Sequence, residues 1–268
     1  MVSDSSPVPP FPPVRQVLVI GIGAGDPSLI TVQAVEALGE VDTFLVFDKG
    51  EVKADLAVVR QEVLRRFATA KPFRVVEVQD PVRDVRLPYE EAVARWHLER
   101  VVMFERVLLA EVADGECVGI LVWGDPSLYD STLRIIDQVI ARGRVAIEHT
   151  VVPGISSMQL LAARHRISLN RIGRSVLITT GRKLRLGLAE GVDDDDVVVM
   201  LDGETSFIDF VGHGFEIFWG AYLGSADEIL IAGLLDEVAD EIVRVRREAR
   251  RRKGWIFDIY LLRRVNSA

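Results

Sequence analysis

The stretch IGIGAGDPSLIT at residues 20–31 decides the fold, because it joins a buried strand to a helix through a glycine turn. The strand is predicted over residues 17–20, and apolar residues at helical spacing cover residues 29–38. Asp26 stands where a dinucleotide-binding fingerprint needs its third glycine, and its charge would repel a pyrophosphate. We therefore expect Asp26 to cap a helix that begins at Pro27, and this unit to open a parallel α/β sheet.

The alternation of short strands and longer amphipathic helices continues along the first part of the chain. Further strands are predicted at residues 43–47, 74–78, 118–123 and 145–152. Helices are predicted at residues 56–67, 89–112, 132–141 and 157–164. Because strands joined by helical crossovers run parallel, this part predicts a mostly parallel sheet of five strands.

Beyond residue 173 the strands follow one another with few helices between them. They are predicted at residues 176–180, 197–201, 217–223, 229–232 and 255–262. Closely spaced strands favour hairpins and hence a mixed sheet. The expected fold class is α/β, with two α/β domains at residues 14–170 and 171–268 after an extended arm at residues 1–13. We expect a ligand in the cleft between the two domains.

Composition excludes several classes of function. The chain has 268 residues, of which 49% are hydrophobic and 27% charged, and its net charge is −8. That charge argues against nucleic acid as a partner. No stretch reaches the ~20 apolar residues of a membrane span, and the proline-rich start has no signal-peptide core, so a cytoplasmic protein without a membrane partner is expected. Cys117 is the only cysteine; it is interpreted as a core residue, and no metal site is predicted.

Two runs of like charge are interpreted as solvated surface. Residues 193–196 are four adjacent aspartates, which repel one another and predict a solvated loop. Residues 244–253 hold seven cations and one glutamate, which predicts a solvated helix at the rim of a dimer.

Three of the first five predicted strands end in turns that contain glycine. Besides residues 20–31, these turns are WGDPSLY at residues 123–129 and VPGISS at residues 152–157. Ligands of parallel sheets bind beyond the carboxyl ends of strands, where glycine lets them approach bare backbone. The three turns together therefore predict a ligand site.

In this order and spacing, the three turns resemble those of the tetrapyrrole methylases, S-adenosylmethionine-dependent enzymes of sirohaem and cobalamin biosynthesis. The matched segments are residues 20–31, Gly124-Asp125-Pro126 and residues 152–157, within a resemblance that covers residues 14 to about 235. Ala24 departs from the family, which usually has proline there. The strand at residues 255–262 lacks the family's usual Pro-Ala pair, so we do not expect this strand to contact a bound ligand.

The resemblance implies a homodimer that binds S-adenosyl-L-methionine between two α/β domains and releases S-adenosyl-L-homocysteine. Carried over position by position, the expected cofactor contacts are Trp123, Asp125, Leu128, Ser156, Ser157, Met200, Ala221 and Tyr222. Several segments resemble the deacetylating members of the family, which methylate a precorrin (here precorrin-5) with loss of acetate. Those segments are the N-terminal arm and residues 89–100, 219–224 and 244–264.

Loss of acetate requires water to add to a carbonyl, which benefits from a general base. Asp48 is the first candidate because it ends the second predicted strand beside the glycine loop; Tyr89 and His97 follow. The substrate carries many carboxylates, so an acidic protein must place cations around it. The expected substrate-binding residues are Gly23, Ala24, Gly25, Arg83, Arg86 and Arg182.

Two other functions stay open at this point. One is methylation of another precorrin or of uroporphyrinogen by an enzyme of the same family. The other is a nucleotide-binding regulator without turnover, against which the intact motifs at three strand ends argue.

Overall fold

A computed structural model describes residues 14–48, 54–81, 84, 86–187 and 196–265. Its strands are β1 Arg15–Gly21, β2 Thr43–Asp48, β3 Arg74–Gln79, β4 Cys117–Val122, β5 Ile147–Val152, β6 Val176–Thr180, β7 Asp196–Met200, β8 Phe215–Ala221, β9 Ile229–Leu234 and β10 Asp258–Arg264. Its helices are α1 Val32–Glu40, α2 Ala54–Phe67, α3 Tyr89–Glu111, α4 Thr132–Arg142, α5 Ser157–His165, α6 Gly181–Leu184 and α7 Leu235–Lys253.

The first five strands form one sheet in the order β3-β2-β4-β1-β5. All of its strand pairs are parallel, which confirms the predicted parallel sheet. Strand β1, which lies between β4 and β5, is buried on both faces, as its unbroken apolar run requires. Since β4, β1 and β5 are neighbours, the three glycine turns leave the sheet side by side at its carboxyl edge.

Helices α3 and α4 cover this sheet with apolar side chains. Phe104 and Ile136 are buried in one core cluster with Val17 and Ile120 of the sheet. Cys117 lies at the start of β4, and burial raises the pKa of its thiol to about 11. A thiol with that pKa is protonated at neutral pH, in agreement with the interpretation of Cys117 as a packing residue.

The last five strands form a mixed sheet in the order β6-β7-β10-β8-β9. Strand β6 runs parallel to β7, whereas β7, β10, β8 and β9 pair antiparallel in turn. Trp219 and Tyr260 are fully buried at its centre, packed with Ile242 of α7. The predicted mixed sheet is thereby confirmed.

Contacts between residues divide the chain into two compact units. The first ends at Gly154 and contains β1 to β5; the second starts at Ile155, contains β6 to β10 and also includes the loop Gly23–Ile30. Helix α5 belongs to the second unit because Leu160 and Leu161 pack in the cluster around β7, β8 and β10. The expected domain boundary at residue 170 lies inside this unit.

The glycine loop after β1 differs from the predicted start of the helix. Asp26 accepts a hydrogen bond from the Ser28 amide at 2.8 Å and caps a short 3-10 helix, Pro27–Leu29. Helix α1 starts only at Val32, where the Thr31 hydroxyl accepts from the Ala34 amide at 3.1 Å. Two separate caps therefore follow one another where a single helix start was expected.

Both charge runs contain buried members, so the prediction of solvated surface is wrong for them. Asp196 is fully buried and pairs with Arg263 at 2.8 Å; residues 193–195 lie outside the described residues. Arg246 is buried in α7 and pairs with Asp258 at 2.8 Å. The strand predicted from residue 255 is also shorter, since β10 begins at Asp258. No helix among the described residues is long and apolar enough to cross a membrane.

Candidate active site

The three glycine turns of the first unit pack main chain against main chain. A Cβ on Gly21 would lie 2.6 Å from the Gly154 amide nitrogen and 2.9 Å from the Gly124 carbonyl oxygen. A Cβ on Gly154 would overlap that same carbonyl oxygen. Glycine is therefore required at these positions for the strand ends to approach one another, and peptide groups rather than side chains form this edge of the sheet.

Asp125 holds two of these turns together. One carboxylate oxygen accepts from the Gly154 amide at 2.9 Å, and the other accepts from the Ser127 amide at 2.8 Å. Burial raises the pKa of Asp125, but these hydrogen bonds outweigh it and leave the pKa below its usual value. The carboxylate is therefore ionised at neutral pH and is already engaged by the protein, with lone pairs remaining for a ligand.

The loop that follows β1 packs on a turn after β8, both within the second unit. A Cβ on Gly224 would lie 2.8 Å from the Asp26 amide, so the two main chains are in direct contact. Glu228 accepts from the Gly224 amide at 2.7 Å and fixes that turn. Ala24 is only 1% exposed and packs with Leu223, so its side chain does not face a substrate. Gly23 and Gly25 have no side chain, so they could contact a substrate only through their main-chain groups.

Strained backbone marks the strand ends where the cofactor residues were expected. Tyr129 after β4, Leu201 after β7 and Tyr222 after β8 have φ of 51°, 54° and 50°. Left-handed conformations of residues other than glycine cluster at functional sites. Leu201 directly follows the predicted contact Met200, and its side chain is 59% exposed. Nothing in the sequence signals Leu201 or Tyr129, because neither residue type favours this conformation.

A buried polar network fixes the turn after β7. Asp202 accepts from the Tyr260 hydroxyl at 2.7 Å and from the Ser206 amide at 2.6 Å. The Asp202 carbonyl oxygen accepts from Arg246 at 2.6 Å, and Arg246 also donates to Asp258 at 2.8 Å. The backbone at Leu201 is held by this network.

Four more of the expected cofactor residues lie in the segments that follow β4 and β5. Ser156 is the N-cap of α5, where its amide donates to the Gln159 side chain at 2.7 Å, and Ser157 is the first residue of the helix. The Leu128 amide donates to the Asp125 carbonyl at 3.2 Å, and Trp123 directly follows β4.

Ala221 and Tyr222 can offer less than expected. Ala221 is fully buried. The Tyr222 amide donates to the Phe257 carbonyl at 2.9 Å, and its hydroxyl donates to the Trp255 carbonyl at 2.6 Å. Burial raises the pKa of Tyr222. A contact from this pair to a ligand would be one of packing.

The three candidate catalytic residues differ in what the structure describes. Asp48 is the last residue of β2 and Tyr89 the first of α3; their side chains lie outside the described residues. His97 is half-buried on α3, with its ring centroid 5.0 Å from that of Trp96. Burial, then the charges of Arg134 and Arg100, lower the pKa of His97, so it is neutral at pH 7. Histidine is thus in the form that can accept a proton.

The structure describes two of the three expected substrate arginines, and these two belong to different units. Arg86 is exposed and pairs with Asp84 at 2.8 Å, and Arg182 is exposed on α6. Arg83 lies outside the described residues. Among the residues that the structure describes, no group of three His, Cys, Asp or Glu side chains could hold a metal ion.

The parallel sheet with three glycine turns and the mixed second sheet define a class of protein. Residues 16–239 match the family of Tetrapyrrole (Corrin/Porphyrin) Methylases, and the chain belongs to that family. It is 46% identical over 252 residues to precorrin-6A synthase [deacetylating] from a Sinorhizobium species, covering 94% of this chain and 96% of that protein.

Two solved structures show the same fold. A cobalamin synthesis related protein from Corynebacterium diphtheriae superposes with a TM-score of 0.81 at 36% identity, covering 94% of this chain and 100% of the other. A uroporphyrin-III C-methyltransferase from Thermus thermophilus, solved with S-adenyl homocysteine, superposes with a TM-score of 0.54 at 20% identity, covering 92% of each. The second likeness concerns the fold alone.

Proposed function

We propose that the chain is an S-adenosylmethionine-dependent C-methyltransferase of corrin biosynthesis that converts precorrin-5 to precorrin-6A with loss of acetate. The observation that carries the proposal is the 46% identity to a deacetylating precorrin-6A synthase along nearly the whole of both chains. The precorrin-2 C(20)-methyltransferase of Sinorhizobium matches at 28% over only 54% of this chain. That difference favours the deacetylating reaction over methylation of another precorrin.

The main chain at the strand ends fits S-adenosylmethionine as the cofactor. Only main chain lies at this edge of the sheet, where Gly21, Gly124 and Gly154 pack, and Leu201 presents a strained turn. Such groups match the adenine edge and the amino and carboxyl groups of the methionine part. The residues proposed to hold it are Trp123, Asp125 and Leu128 in the first unit, and Ser156, Ser157, Met200, Ala221 and Tyr222 in the second.

When bound, the sulfonium supplies an electrophilic methyl group, which an electron-rich ring carbon displaces in line. An enamine-like or pyrrolic carbon needs little activation, so the protein contributes mainly alignment and exclusion of water. Turns held by hydrogen bonds suit such alignment. Asp125 ties the β4 turn to the β5 turn, and the Asp202 network fixes the turn after β7.

Loss of acetate requires a proton acceptor. A water molecule loses a proton to the base and adds to the acetyl carbonyl; the bond from that carbon to the ring then breaks, and its electron pair passes to the ring. We propose Asp48 as the base, since β2 ends there at the carboxyl edge of the sheet. Tyr89 and neutral His97 are the next candidates.

The proposed reaction is tested with labelled S-adenosylmethionine and a reconstituted pool of precorrins, followed by mass analysis of the products. We expect one labelled methyl group per product and one acetate released. Methylation of a different precorrin without acetate would identify another activity of the family. Equilibrium binding of the cofactor with no methyl transfer to any precorrin would identify a regulator.

Replacing Asp48 separates the two halves of the chemistry. Asp48→Asn keeps the size of the side chain but cannot accept the proton, and loss of a positioned base typically slows a reaction ~10²–10⁴-fold. In single-turnover assays acetate release should slow by that factor, whereas affinity for S-adenosylmethionine should change little. Acetate and methylated product both formed at wild-type rates would exclude Asp48, and Tyr89 and His97 would be replaced next.

We further propose a cytoplasmic homodimer that binds neither nucleic acid nor membranes. The family resemblance supports the dimer, and the net charge of −8 supports the absence of nucleic acid binding. Substrate binding is assigned to the backbone of Gly23, Ala24 and Gly25 and to the cations Arg83, Arg86 and Arg182. Analytical ultracentrifugation tests the dimer, and a single species with the mass of one chain would exclude it.

A further inference from the structure

The turn that follows β7 contains two residues in an unfavourable backbone conformation. Leu201 and Thr205, neither of which is glycine, have φ of 54° and 59°. A residue with a Cβ keeps such a left-handed conformation only where the surrounding structure enforces it. Leu201 directly follows Met200, one of the residues proposed to hold the cofactor. The groups that enforce this turn therefore act on main chain that is proposed to bind the cofactor.

The carboxylate of Asp202 is the centre of this turn. One of its oxygens accepts from the Ser206 amide at 2.6 Å. The other accepts from the Glu204 amide at 3.0 Å and from the Ser206 hydroxyl at 3.0 Å. Because one buried side chain binds two main-chain amides of its own turn, Asp202 determines the path of the chain after Leu201.

Three elements outside the turn hold Asp202 in place. The Tyr260 hydroxyl of β10 donates to its carboxylate at 2.7 Å, and Arg246 of α7 donates to its carbonyl oxygen at 2.6 Å. Burial, then the charge of Asp202, raises the pKa of Tyr260 well above its ordinary value, so the hydroxyl keeps its proton. A Cβ on Gly181, the first residue of α6, would overlap the Asp202 carboxylate. The position of this carboxylate is thus set from α6, α7 and β10.

This network is a costly way to build a turn if stability is its only role. The side chains of Asp202, Arg246 and Asp258 are buried, and loss of their hydration offsets much of the energy of their hydrogen bonds. Glycine at residue 201 would adopt the same φ without strain. What the network provides is one fixed geometry of the main chain next to Met200.

We propose that Tyr260, Asp202 and Gly181 are positioning residues for S-adenosylmethionine. They hold Leu201 in its left-handed conformation, so that the main chain from Met200 to Leu201 matches the cofactor before it binds. This inference rests on the proposed function, which supplies the cofactor. A site that already has its bound geometry avoids the cost of ordering when the ligand arrives. The three positioning residues act through the main chain and need no contact with the cofactor.

The test measures binding of S-adenosyl-L-homocysteine by isothermal titration calorimetry, which needs neither a precorrin nor turnover. Tyr260→Phe removes the hydroxyl that binds Asp202. Gly181→Ala displaces the same carboxylate with a methyl group and removes no hydrogen-bonding side chain. Each variant should weaken binding roughly 5- to 30-fold, which is the left-handed cost of ~1–2 kcal/mol per residue converted at about 1.4 kcal/mol for each tenfold.

Ile217→Val is the control for a general loss of stability. Ile217 is fully buried in the same core cluster as Tyr260, and it pairs with Leu262, which in turn pairs with Val197 at the amino end of β7. The smaller side chain should lower the melting temperature, as Tyr260→Phe does, and leave the affinity at the wild-type value. Equal losses of affinity in Ile217→Val and Tyr260→Phe would assign Tyr260 to stability alone and overturn the proposal.

A double-mutant cycle with Leu201→Gly separates positioning from packing. Because glycine adopts positive φ without strain, the loss of affinity caused by Tyr260→Phe should shrink to less than about threefold in the Leu201→Gly background. An equal loss in both backgrounds would overturn the proposal, and so would wild-type affinity of Tyr260→Phe and Gly181→Ala. Failure of the wild-type protein to bind S-adenosyl-L-homocysteine would overturn the proposed function as well. Wild-type binding with insensitive variants would refute this inference alone.

Discussion

The Asp125 carboxylate accepts hydrogen bonds from two turns at once, one oxygen from Gly154 and the other from Ser127. Its sequence position within Gly-Asp-Pro suggested a direct ligand contact. The structure adds a second role, in which Asp125 sets the distance between the turns after β4 and β5. A residue that both contacts a ligand and positions its neighbours should affect affinity and stability together.

Asp125→Ala should weaken binding of S-adenosylmethionine by ~1–3 kcal/mol, because the Gly154 amide loses its acceptor and the turn is free to shift. Isothermal titration calorimetry measures this loss. Ser127→Ala is the control: it removes a hydroxyl that donates to Asp125 but leaves the tie to Gly154 intact. Unchanged affinity in folded Asp125→Ala would remove this residue from the site.

The same residue gives a pH-dependent contribution to stability. The folded-state pKa of Asp125 lies below the ordinary value of 3.8, so its stabilising effect is present above that value and is lost as pH falls through the folded pKa. The difference in free energy of unfolding between wild type and Asp125→Ala should therefore be constant near neutral pH and shrink below pH 3.8. Urea unfolding across this range measures it, and a difference that grows with acid would contradict it.

At the scale of secondary-structure elements, the carboxyl ends of β1, β4 and β5 are joined by contacts that leave no room for a side chain. Gly154→Ala should destabilise the protein by at least ~1–3 kcal/mol, because its Cβ would overlap the Gly124 carbonyl, which is backbone and cannot rotate away. Gly203→Ala is the matched control, since nothing lies within 4 Å of its added Cβ. Chemical denaturation should show the loss for Gly154→Ala alone; equal stability of both variants would mean that the turns can separate without loss.

Helix α7 is attached to β10 by the ion pair between Arg246 and Asp258. Arg246 is buried, although it belongs to a run of mostly exposed basic residues. Arg246→Ala should cost ~3–5 kcal/mol, because it leaves the buried Asp258 carboxylate without its cation and the Asp202 carbonyl without its donor. Arg247→Ala, one residue on and exposed, should change stability by less than ~0.5 kcal/mol. Equal denaturation midpoints of the two variants would contradict the assignment of Arg246 to the core.

At the scale of the whole molecule, a net charge of −8 has to be reconciled with a polyanionic substrate. Local cations must attract the carboxylates, so substrate affinity should fall as salt rises and screens them over the ~10 Å Debye length at 0.1 M. Affinity for S-adenosylmethionine, which we propose is held mainly by uncharged main-chain groups, should fall much less. Titrating both ligands over a salt series tests this, and equal slopes would argue against a polycarboxylate substrate.

The sequence alone determined the two-sheet α/β fold, because the period of the apolar residues and the spacing of the predicted elements are local properties of the chain. For example, residues 17–20 and the glycine turn after them indicate a strand, a turn and a helical crossover. This prediction needs no information about residues far away in the chain. The three turns at strand ends also carried the resemblance to the family, because their sequences match the family's motifs in the same order and spacing. Element ends were less determined: α1 starts at Val32 because Thr31 caps it, a choice between two caps that the sequence leaves open.

Only the tertiary structure decided which charges are buried. Asp196 and Arg246 sit in runs that look solvated, yet each is buried because a partner from another strand or helix reaches it. Pairing between residues far apart in the chain depends on packing, and no local pattern encodes it.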